Sequence, residues 1–237
     1  MRISISAVPR MSDRIRTYFH GTDTVAYLDK IMEEGLDSKA TELKYGNKKP
    51  ILRPVDSCVY ITPNLAYALI YALGGDMAGH KNDRYKDRYG VVFAFEGTHL
   101  IDMSPDEDCV GLIARWLLAG TDRDVIERYY GKDYDLDKVY SAEITSYIRT
   151  SVHILTDNQY KNIKGYKGDE CVVQTQIGKK LVKHMPDSVK LAMIDAGCHI
   201  AHKGRLLPNV AYQVDKERSQ EFKRDGSNFF SIATKVR

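Results

Sequence analysis

The sequence predicts an α+β fold, in which strands and helices are mixed without a regular strand–helix–strand repeat. The chain has 237 residues, of which 43% are hydrophobic and 28% are charged, enough to build one sizeable core. Short β-branched or alternating runs such as "SCVYIT" and "VVFAFEG" predict strands. Segments with apolar residues at helical spacing, such as "TVAYLDKIMEEGL", lie between them. The two patterns follow one another irregularly, which favours α+β over a parallel α/β fold.

The first half of the chain predicts three strands and two helices. A strand over "RTYFHGT" precedes a helix that carries its apolar residues on one face and ends at Gly35. After a polar loop at 37–57, the strand "SCVYIT" leads through Pro63 into the helix "NLAYALIYAL", which ends at Gly74. The polar, glycine-rich stretch "GGDMAGHKNDRYKDRYG" predicts a loop before the strand "VVFAFEG".

The second half predicts helices and one further strand. Ser104, Pro105 and the acids that follow suit the start of a helix through "CVGLIARWLLAG", and this capping role accounts for the acids of "SPDED". A second helix is predicted over 139–156, a strand over "GDECVVQTQI", and a third helix over "DSVKLAMIDAGC". The remaining tail is polar, basic and weakly patterned.

Composition and cysteine spacing predict the cellular compartment of the protein. The four cysteines are far apart and form no C-x-x-C pair, which fits a reduced intracellular protein. No apolar run approaches the ~20 residues of a membrane helix, and the first residues lack the apolar segment of a signal peptide. We therefore expect a cytoplasmic protein without a membrane partner. Cys198, His199 and His202 lie close in sequence but lack a second ligand pair, so no metal site is expected.

Three residues associated with predicted strands point to a family. His20 ends the first strand, Tyr60 lies in the second, and Glu170 stands at the head of a late one. This order, in "YFHGT", "CVYIT" and "GDECVV", resembles the histidine, tyrosine and glutamate signature of the diphtheria-toxin-like ADP-ribosyltransferases. Tyr71 follows Tyr60 by eleven residues, as a second stacking tyrosine does in the toxin members. The resemblance covers about residues 17–183, loosely.

The resemblance implies a split β-sandwich with peripheral helices that binds NAD. It implies a catalytic domain over residues 1–185 and a helical and basic extension of the same domain over 186–237. The implied enzyme is a mono-ADP-ribosyltransferase that uses NAD as co-substrate, without a metal, and releases nicotinamide. We expect a monomer that acts on a macromolecular acceptor, with protein favoured over nucleic acid.

The resemblance also implies roles for individual residues. Cleavage of NAD builds positive charge on the ribose, which a carboxylate of Glu170 would stabilise. Tyr60 and Tyr71 would sandwich the cationic nicotinamide ring. Glu170, His20 and Tyr60 form the predicted catalytic set, and Tyr71 belongs to the predicted NAD-binding set.

The predicted NAD-binding set is completed at the end of the first strand. The imidazole of His20 has a donor and an acceptor nitrogen, which suits the hydroxyls of the adenosine ribose. Gly21 would let the backbone approach the nicotinamide amide closely, and Thr22 is assigned to the same site.

Several alternatives remain open. Each residue also has a structural interpretation, since a histidine after two aromatic residues is often buried and Tyr71 belongs to an apolar helix face. Gly168 stands where arginine-modifying relatives have a glutamate or glutamine, which makes arginine modification less favoured. Basic loops and the segment 157–190 keep a nucleic-acid acceptor open. An RNA 2'-phosphotransferase-like enzyme, or an inactive module with the NAD fold, would share the opening motif. The pattern does not separate a toxin, a phage effector and a regulator.

Overall fold

The computed structural model of the chain describes residues 17–37, 58–74, 87–96, 103–124, 135–157, 159–160, 170–221 and 228–237. The strands in these residues are β1 (Thr17–Thr22), β2 (Cys58–Ile61), β3 (Tyr89–Glu96), β4 (Met103–Pro105), β5 (Ile200–Lys203), β6 (Val210–Asp215) and β7 (Ala233–Lys235). The α-helices are α1 (Leu28–Glu34), α2 (Leu65–Ala72), α3 (Glu107–Ala119), α4 (Leu136–Val139), α5 (Ala142–Thr150), α6 (Glu170–His184), α7 (Asp187–Asp195) and α8 (Phe229–Ile232). None of the described helices is long and apolar enough to span a membrane.

The strands form two antiparallel sheets, which confirms the α+β prediction. A four-stranded sheet has the order β1-β3-β6-β7, and a three-stranded sheet has the order β2-β5-β4. The two sheets touch at one backbone pair, because the amide nitrogen of Phe19 lies 2.7 Å from the carbonyl oxygen of Thr62 and the reciprocal distance is 2.9 Å. Beyond this pair β1 and β2 diverge into different sheets. We call this place the strand split.

The inner faces of the two sheets share one apolar core. Tyr18 and Phe93 from the larger sheet and Val59, Ile61 and Ile200 from the smaller sheet belong to the same buried cluster. Neighbouring residues on a strand point to opposite faces, so His20 lies on the inner side with Tyr18, and Tyr60 lies on the outer side. The alternation in "RTYFHGT" and "SCVYIT" therefore decides which residues reach the core.

A helical core lies beside the sheets and is organised around α3 and α6. A Cβ added to Gly111 would lie 2.0 Å from the carbonyl oxygen of Gln174, and one added to Gly178 would lie 1.6 Å from that of Glu107. The pairing of 107 with 178 and of 111 with 174 makes the two helices antiparallel. We call this contact the helix crossing.

The outer face of the larger sheet is partly covered by α2 and α8. Helix α2 lies directly on β1 and β3, because a Cβ at Gly21 would be 1.8 Å from the carbonyl oxygen of Ala68 and one at Gly90 equally close to that of Ala72. Phe229 and Ile232 of α8 complete this smaller core. The position of α2 over the end of β1 brings its tyrosines close to the strand split.

Most predicted elements are confirmed, but the strand predicted over "GDECVVQTQI" is wrong. Residues Glu170–His184 form α6. Ile177 and Leu181 are fully buried and four residues apart, which is helical spacing. The alternation of apolar and polar residues before them is too short to specify a strand. Packing against α3 overrides the β propensity of the run.

The tail also differs from expectation, because the weakly patterned residues after 199 contain β5, β6 and β7. Strand β5 pairs with β2, and β6 pairs with β3. Residues 186–237, expected as a helical and basic extension, therefore contribute strands to both sheets. The predicted loops at 38–57 and 75–86 lie outside the described residues.

Candidate functional site at the strand split

His20 and Tyr60 are in direct contact at the strand split, although forty residues separate them in sequence. The ring nitrogen Nδ1 of His20 lies 2.8 Å from the backbone carbonyl oxygen of Tyr60. Thr62 pairs with Phe19 on the same edge of β2, so the imidazole joins the strands just where they separate. The structure thus brings together two of the predicted site residues.

This contact determines which nitrogen of His20 carries the proton. A carbonyl oxygen accepts hydrogen bonds, so Nδ1–H of His20 is the donor. In the neutral ring Nε2 is then the acceptor nitrogen. His20 is half-buried, and its ring presents an acceptor beside Tyr60.

The side chain of Tyr60 contacts a residue that sequence reasoning assigned to helix capping. The hydroxyl of Tyr60 donates a hydrogen bond of 2.7 Å to Oε1 of Glu107. Glu107 is the first residue of α3 and is 4% exposed. Its position is fixed from behind, because α6 touches its backbone at Gly178. A buried carboxyl group therefore holds the orientation of the Tyr60 ring.

The acids on either side of Glu107 have separate partners. Asp106 caps α3, with its carboxyl group accepting a 2.9 Å hydrogen bond from the backbone nitrogen of Asp108. Asp108 accepts a hydrogen bond from the hydroxyl of Thr175 on α6. Burial raises the pKa of Asp106 well above its ordinary value, and the neighbouring Asp108 adds to the rise. Burial also raises the pKa of Asp108, which the bond from Thr175 opposes.

A tyrosine and a histidine extend the site along α2. The ring of Tyr67 stands edge-on to that of His199 with centroids 3.8 Å apart, and the carbonyl oxygen of His199 accepts a 2.7 Å bond from the nitrogen of Asp106. Burial lowers the pKa of His199 to about 4. Burial raises the pKa of Tyr67 well above its ordinary value, and Tyr71 adds to this rise. Each of these shifts favours the uncharged form of its group, as does the raised pKa of Asp106.

Tyr71, the predicted second stacking residue, lies on the exposed side of this group. Its ring is 39% exposed, and its centroid is 5.5 Å from that of Tyr67 at an angle of 48°. Helix α2 thus presents two tyrosines one turn apart on the side of Tyr60. Tyr67 was not singled out from the sequence, although its spacing of four residues from Tyr71 places both on one helix face.

Gly21 and Thr22 lie next to His20, and both also have contacts that belong to the packing of the fold. The backbone of α2 at Ala68 occupies the space that a Cβ atom at position 21 would need. Close packing of the helix on the strand therefore accounts for Gly21. Thr22 ends β1, is half-buried, and pairs with Val91 of β3. Both residues lie within two positions of His20, as expected.

The predicted catalytic residue Glu170 stands at the start of a helix and not of a strand. It is the first residue of α6, whereas α6 meets Glu107 at Gly178. Eight residues of helix separate the two places, which is about 12 Å along the axis. The strand context on which the resemblance placed Glu170 is absent, and the carboxyl group that contacts Tyr60 belongs to Glu107.

Ser104 adds a polar group on the same face as Tyr60. In the three-stranded sheet Tyr60 is opposite Ala201, and Ala201 is opposite Ser104, so all three side chains point to one face. The buried hydroxyl oxygen of Ser104 has no hydrogen-bond partner in the described part of the chain. Two strand spacings put the backbones of Tyr60 and Ser104 about 10 Å apart, a distance that a sugar ring and its hydroxyls can bridge.

The sequence contained a signal for the acids that it did not use. A helix needs one capping side chain, and Asp106 supplies it, which leaves Glu107 and Asp108 to be explained by other contacts. Their burial depends on β2 and α6, which are distant in sequence. In the described residues no group of three histidine, cysteine, aspartate or glutamate side chains is arranged to hold a metal ion.

Comparison of the chain with known protein families, curated proteins and solved structures found no match. The function has to be argued from the chemistry of the site. Its groups are an aromatic ring held by a carboxyl group, a histidine with an acceptor nitrogen, and a hydroxyl on the same face. These groups suit a flat aromatic ligand that carries a sugar.

Proposed function

We propose that the chain is a mono-ADP-ribosyltransferase that cleaves NAD and transfers ADP-ribose to a macromolecular acceptor. The observation that carries this proposal is the contact of His20 with Tyr60 at the strand split, beside the carboxyl group of Glu107. The motif order resembles that of the diphtheria-toxin-like enzymes, and the adjacency of the two residues is what such a site requires. We further propose a cytoplasmic monomer with a protein acceptor.

In the proposed reaction the bond between N1 of nicotinamide and C1' of its ribose breaks. Nicotinamide leaves with the electron pair and becomes neutral, and a nucleophile of the acceptor forms the new bond to C1' while its proton passes to solvent. The ring of Tyr60 would attract the cationic nicotinamide before cleavage. Nε2 of His20 would accept a hydrogen bond from a ribose hydroxyl.

The positive charge that builds on the ribose calls for a carboxylate, and two residues compete for this role. Glu107 is 2.7 Å from the Tyr60 hydroxyl, so its carboxyl group lies beside the ring that would hold nicotinamide. Glu170 matches the sequence signature but begins a helix. Electrostatic stabilisation of a developing charge requires close approach, so we favour Glu107.

The test compares two glutamine variants in the same assay. Purified protein is incubated with labelled NAD and a cell extract, and release of nicotinamide and labelling of protein are both measured. Glu107→Gln should lower turnover by about 10²-fold or more, as loss of one positioned electrostatic group does. Glu170→Gln should retain most of the activity, and Glu143→Gln, on the exposed side of α5, is the matched control.

Each result decides between named alternatives. Loss of activity in Glu170→Gln alone would return the catalytic role to that residue and reject Glu107. NAD binding by calorimetry without turnover would support an inactive module. Turnover of a 2'-phosphorylated RNA, with no labelling of protein, would support the phosphotransferase alternative. No binding of NAD by the parent protein would overturn the proposal.

A further inference from the structure

A cleft of about 300 Å³ lies on the outer face of the four-stranded sheet. Its floor is formed by Ala94 of β3 and Val210 of β6, and Phe19 and Leu65 form one wall. Leu65 begins α2, whereas Tyr67 and Tyr71 lie on other sides of that helix. The two tyrosines of α2 therefore do not line the cleft.

The sequence of the sheet explains why this cleft is open. Phe19, Ala94 and Val210 are in register on neighbouring strands, so a small side chain lies between larger ones. Helices α2 and α8 cover the other end of the same face, at Val92 and Val214. The short side chain of Ala94 leaves a depression where neither helix reaches.

The second wall is aromatic. Tyr212, Phe229 and Phe230 line the cleft, with ring centroids 5.0 to 6.1 Å apart and ring planes 72° to 75° from one another. Rings at such angles present faces in several directions. The side chain of Phe230 is 78% exposed, so a large apolar surface faces solvent there. The neighbouring Phe229 is buried in the core.

The charge of the cleft is negative. Glu96 is the charged residue among the described residues that line it, which include no lysine or arginine, and Asn209 and Thr17 are its polar neighbours. The side-chain oxygen of Asn209 accepts a 2.7 Å bond from the backbone nitrogen of Glu96, which fixes the end of β3. An exposed carboxyl group at the rim and aromatic faces inside both attract a cation that has an apolar stem.

We propose that this cleft binds a basic side chain, arginine in preference to lysine, presented by a partner protein. The planar guanidinium group stacks on aromatic rings and pairs with a carboxylate, and its apolar stem fits the floor of alanine and valine. A phosphate-bearing ligand is disfavoured, since the carboxylate of Glu96 would repel it. The proposal does not depend on NAD chemistry, and its test contains no NAD.

The experiment uses a blocked arginine amide as the probe and the blocked citrulline amide as its uncharged analogue. The full chain is labelled with ¹³C in its phenylalanine rings, and each probe is titrated at constant ionic strength. Arginine amide should shift the signals of Phe19 and Phe230 saturably in the millimolar range, while the signal of Phe93, buried on the inner face, should not move. Citrulline amide should bind at least threefold more weakly.

Variants separate the aromatic and the charged contributions. Phe230→Ala should weaken binding of arginine amide about fivefold and Glu96→Gln about threefold, because each removes one of the two attractions. Both positions are exposed, so the fold should survive, as thermal unfolding would verify. Leu207→Ala, at a 61% exposed position that does not line the cleft, is the control and should bind like the parent.

Three outcomes would overturn the proposal. Equal affinity for arginine and citrulline amides would mean that charge is not recognised and that the cleft is merely an apolar depression. Equal binding by the parent and Phe230→Ala would place the cation outside the cleft. Binding of inorganic phosphate at the same phenylalanines would also contradict the negative character assigned to it.

Discussion

Helix α3 takes part in two regions of opposite character, the helix crossing and the strand split. Along its length it packs against α6, with Gly111 and Gly178 bringing the two backbones into contact among apolar side chains. At its first turn it buries Asp106 and Glu107 beside Tyr60, Tyr67 and His199. Burial of the apolar side chains at the helix crossing stabilises the fold, whereas burial of the ionisable groups at the strand split costs free energy.

This difference indicates that the helix crossing stabilises the fold, and that this stability supports the buried polar groups at the strand split. Buried ionisable groups cost free energy unless they are paired or neutral, and the shifted pKa values of Asp106 and His199 record that cost. Native proteins retain such groups most often at functional sites. The helix crossing therefore offsets the cost of the strand split, and Glu107 belongs to both regions.

The largest expected effect is at the crossing. Gly178→Ala should lower the free energy of unfolding by about 3 kcal/mol, because the new Cβ would lie 1.6 Å from the carbonyl oxygen of Glu107 and must force the helices apart. The sign is informative, since alanine in a helix is otherwise favoured over glycine by about 1 kcal/mol. Urea unfolding followed by the fluorescence of Trp116, the single tryptophan, measures it.

The matched control for this variant lies two residues earlier on the same helix. Gln176 is exposed, so Gln176→Ala should change the free energy of unfolding by less than about 0.5 kcal/mol. If Gly178→Ala were as stable as the control, the helices would not be in backbone contact, and the contrast between the two regions would fail.

The same two regions show what the sequence could predict about the fold. Local signals sufficed for the existence of β1, α2, β3 and α3. The predicted caps were wrong, because Asn64 and Asp106 are the N-caps of α2 and α3, and Ser104 and Pro105 lie in β4. Local signals failed for α6, because its β-branched start is overridden by packing on α3. They also missed β5 to β7, whose partners are β2, β3 and β6. Pairing across such distances leaves little trace in a local pattern.

For the site, the sequence predicted the residues of β1 and β2 but not the carboxyl group between the sheets. The expected proximity of His20 and Tyr60 is confirmed. Glu107 was missed because a helix start explains acids without reference to tertiary contacts. Glu170 was favoured because it followed a strand-like pattern that the structure does not contain. A residue whose role depends on contacts between distant elements cannot be identified from its neighbours alone.

The second expected effect concerns acid stability at the strand split. The pKa of His199 is lowered to about 4 in the folded state, whereas an unfolded histidine has a pKa near 6.5. The unfolded chain therefore binds more protons between these values, and the parent should lose about 2 kcal/mol of unfolding free energy between pH 7 and pH 5 from this group. His199→Phe, which keeps a ring against Tyr67, should remove that loss.

Urea unfolding at several pH values measures this slope. His153→Gln, at an exposed histidine, is the control and should keep the slope of the parent. An unchanged slope in His199→Phe would mean that His199 becomes protonated in the folded protein without penalty. The strand split would then resemble an ordinary solvated surface.

The smallest expected effect concerns Asp106, and its pH dependence has the opposite sign. Because the pKa of Asp106 is raised in the folded state, its contribution to stability is fully present below the unfolded pKa of about 3.9 and is lost as the pH rises through the folded value. Asp106→Asn cannot ionise but can still cap α3 with its side-chain oxygen. The unfolding free energy of the variant should therefore rise relative to that of the parent between pH 4 and pH 8, as urea unfolding at the two pH values would measure. Taking the difference between variant and parent cancels the titration of groups that the substitution leaves alone. A difference between variant and parent that stayed constant with pH would mean that Asp106 is charged and well solvated in the folded protein. Burial at the first turn of α3 would then not be a cost that the helix crossing has to offset.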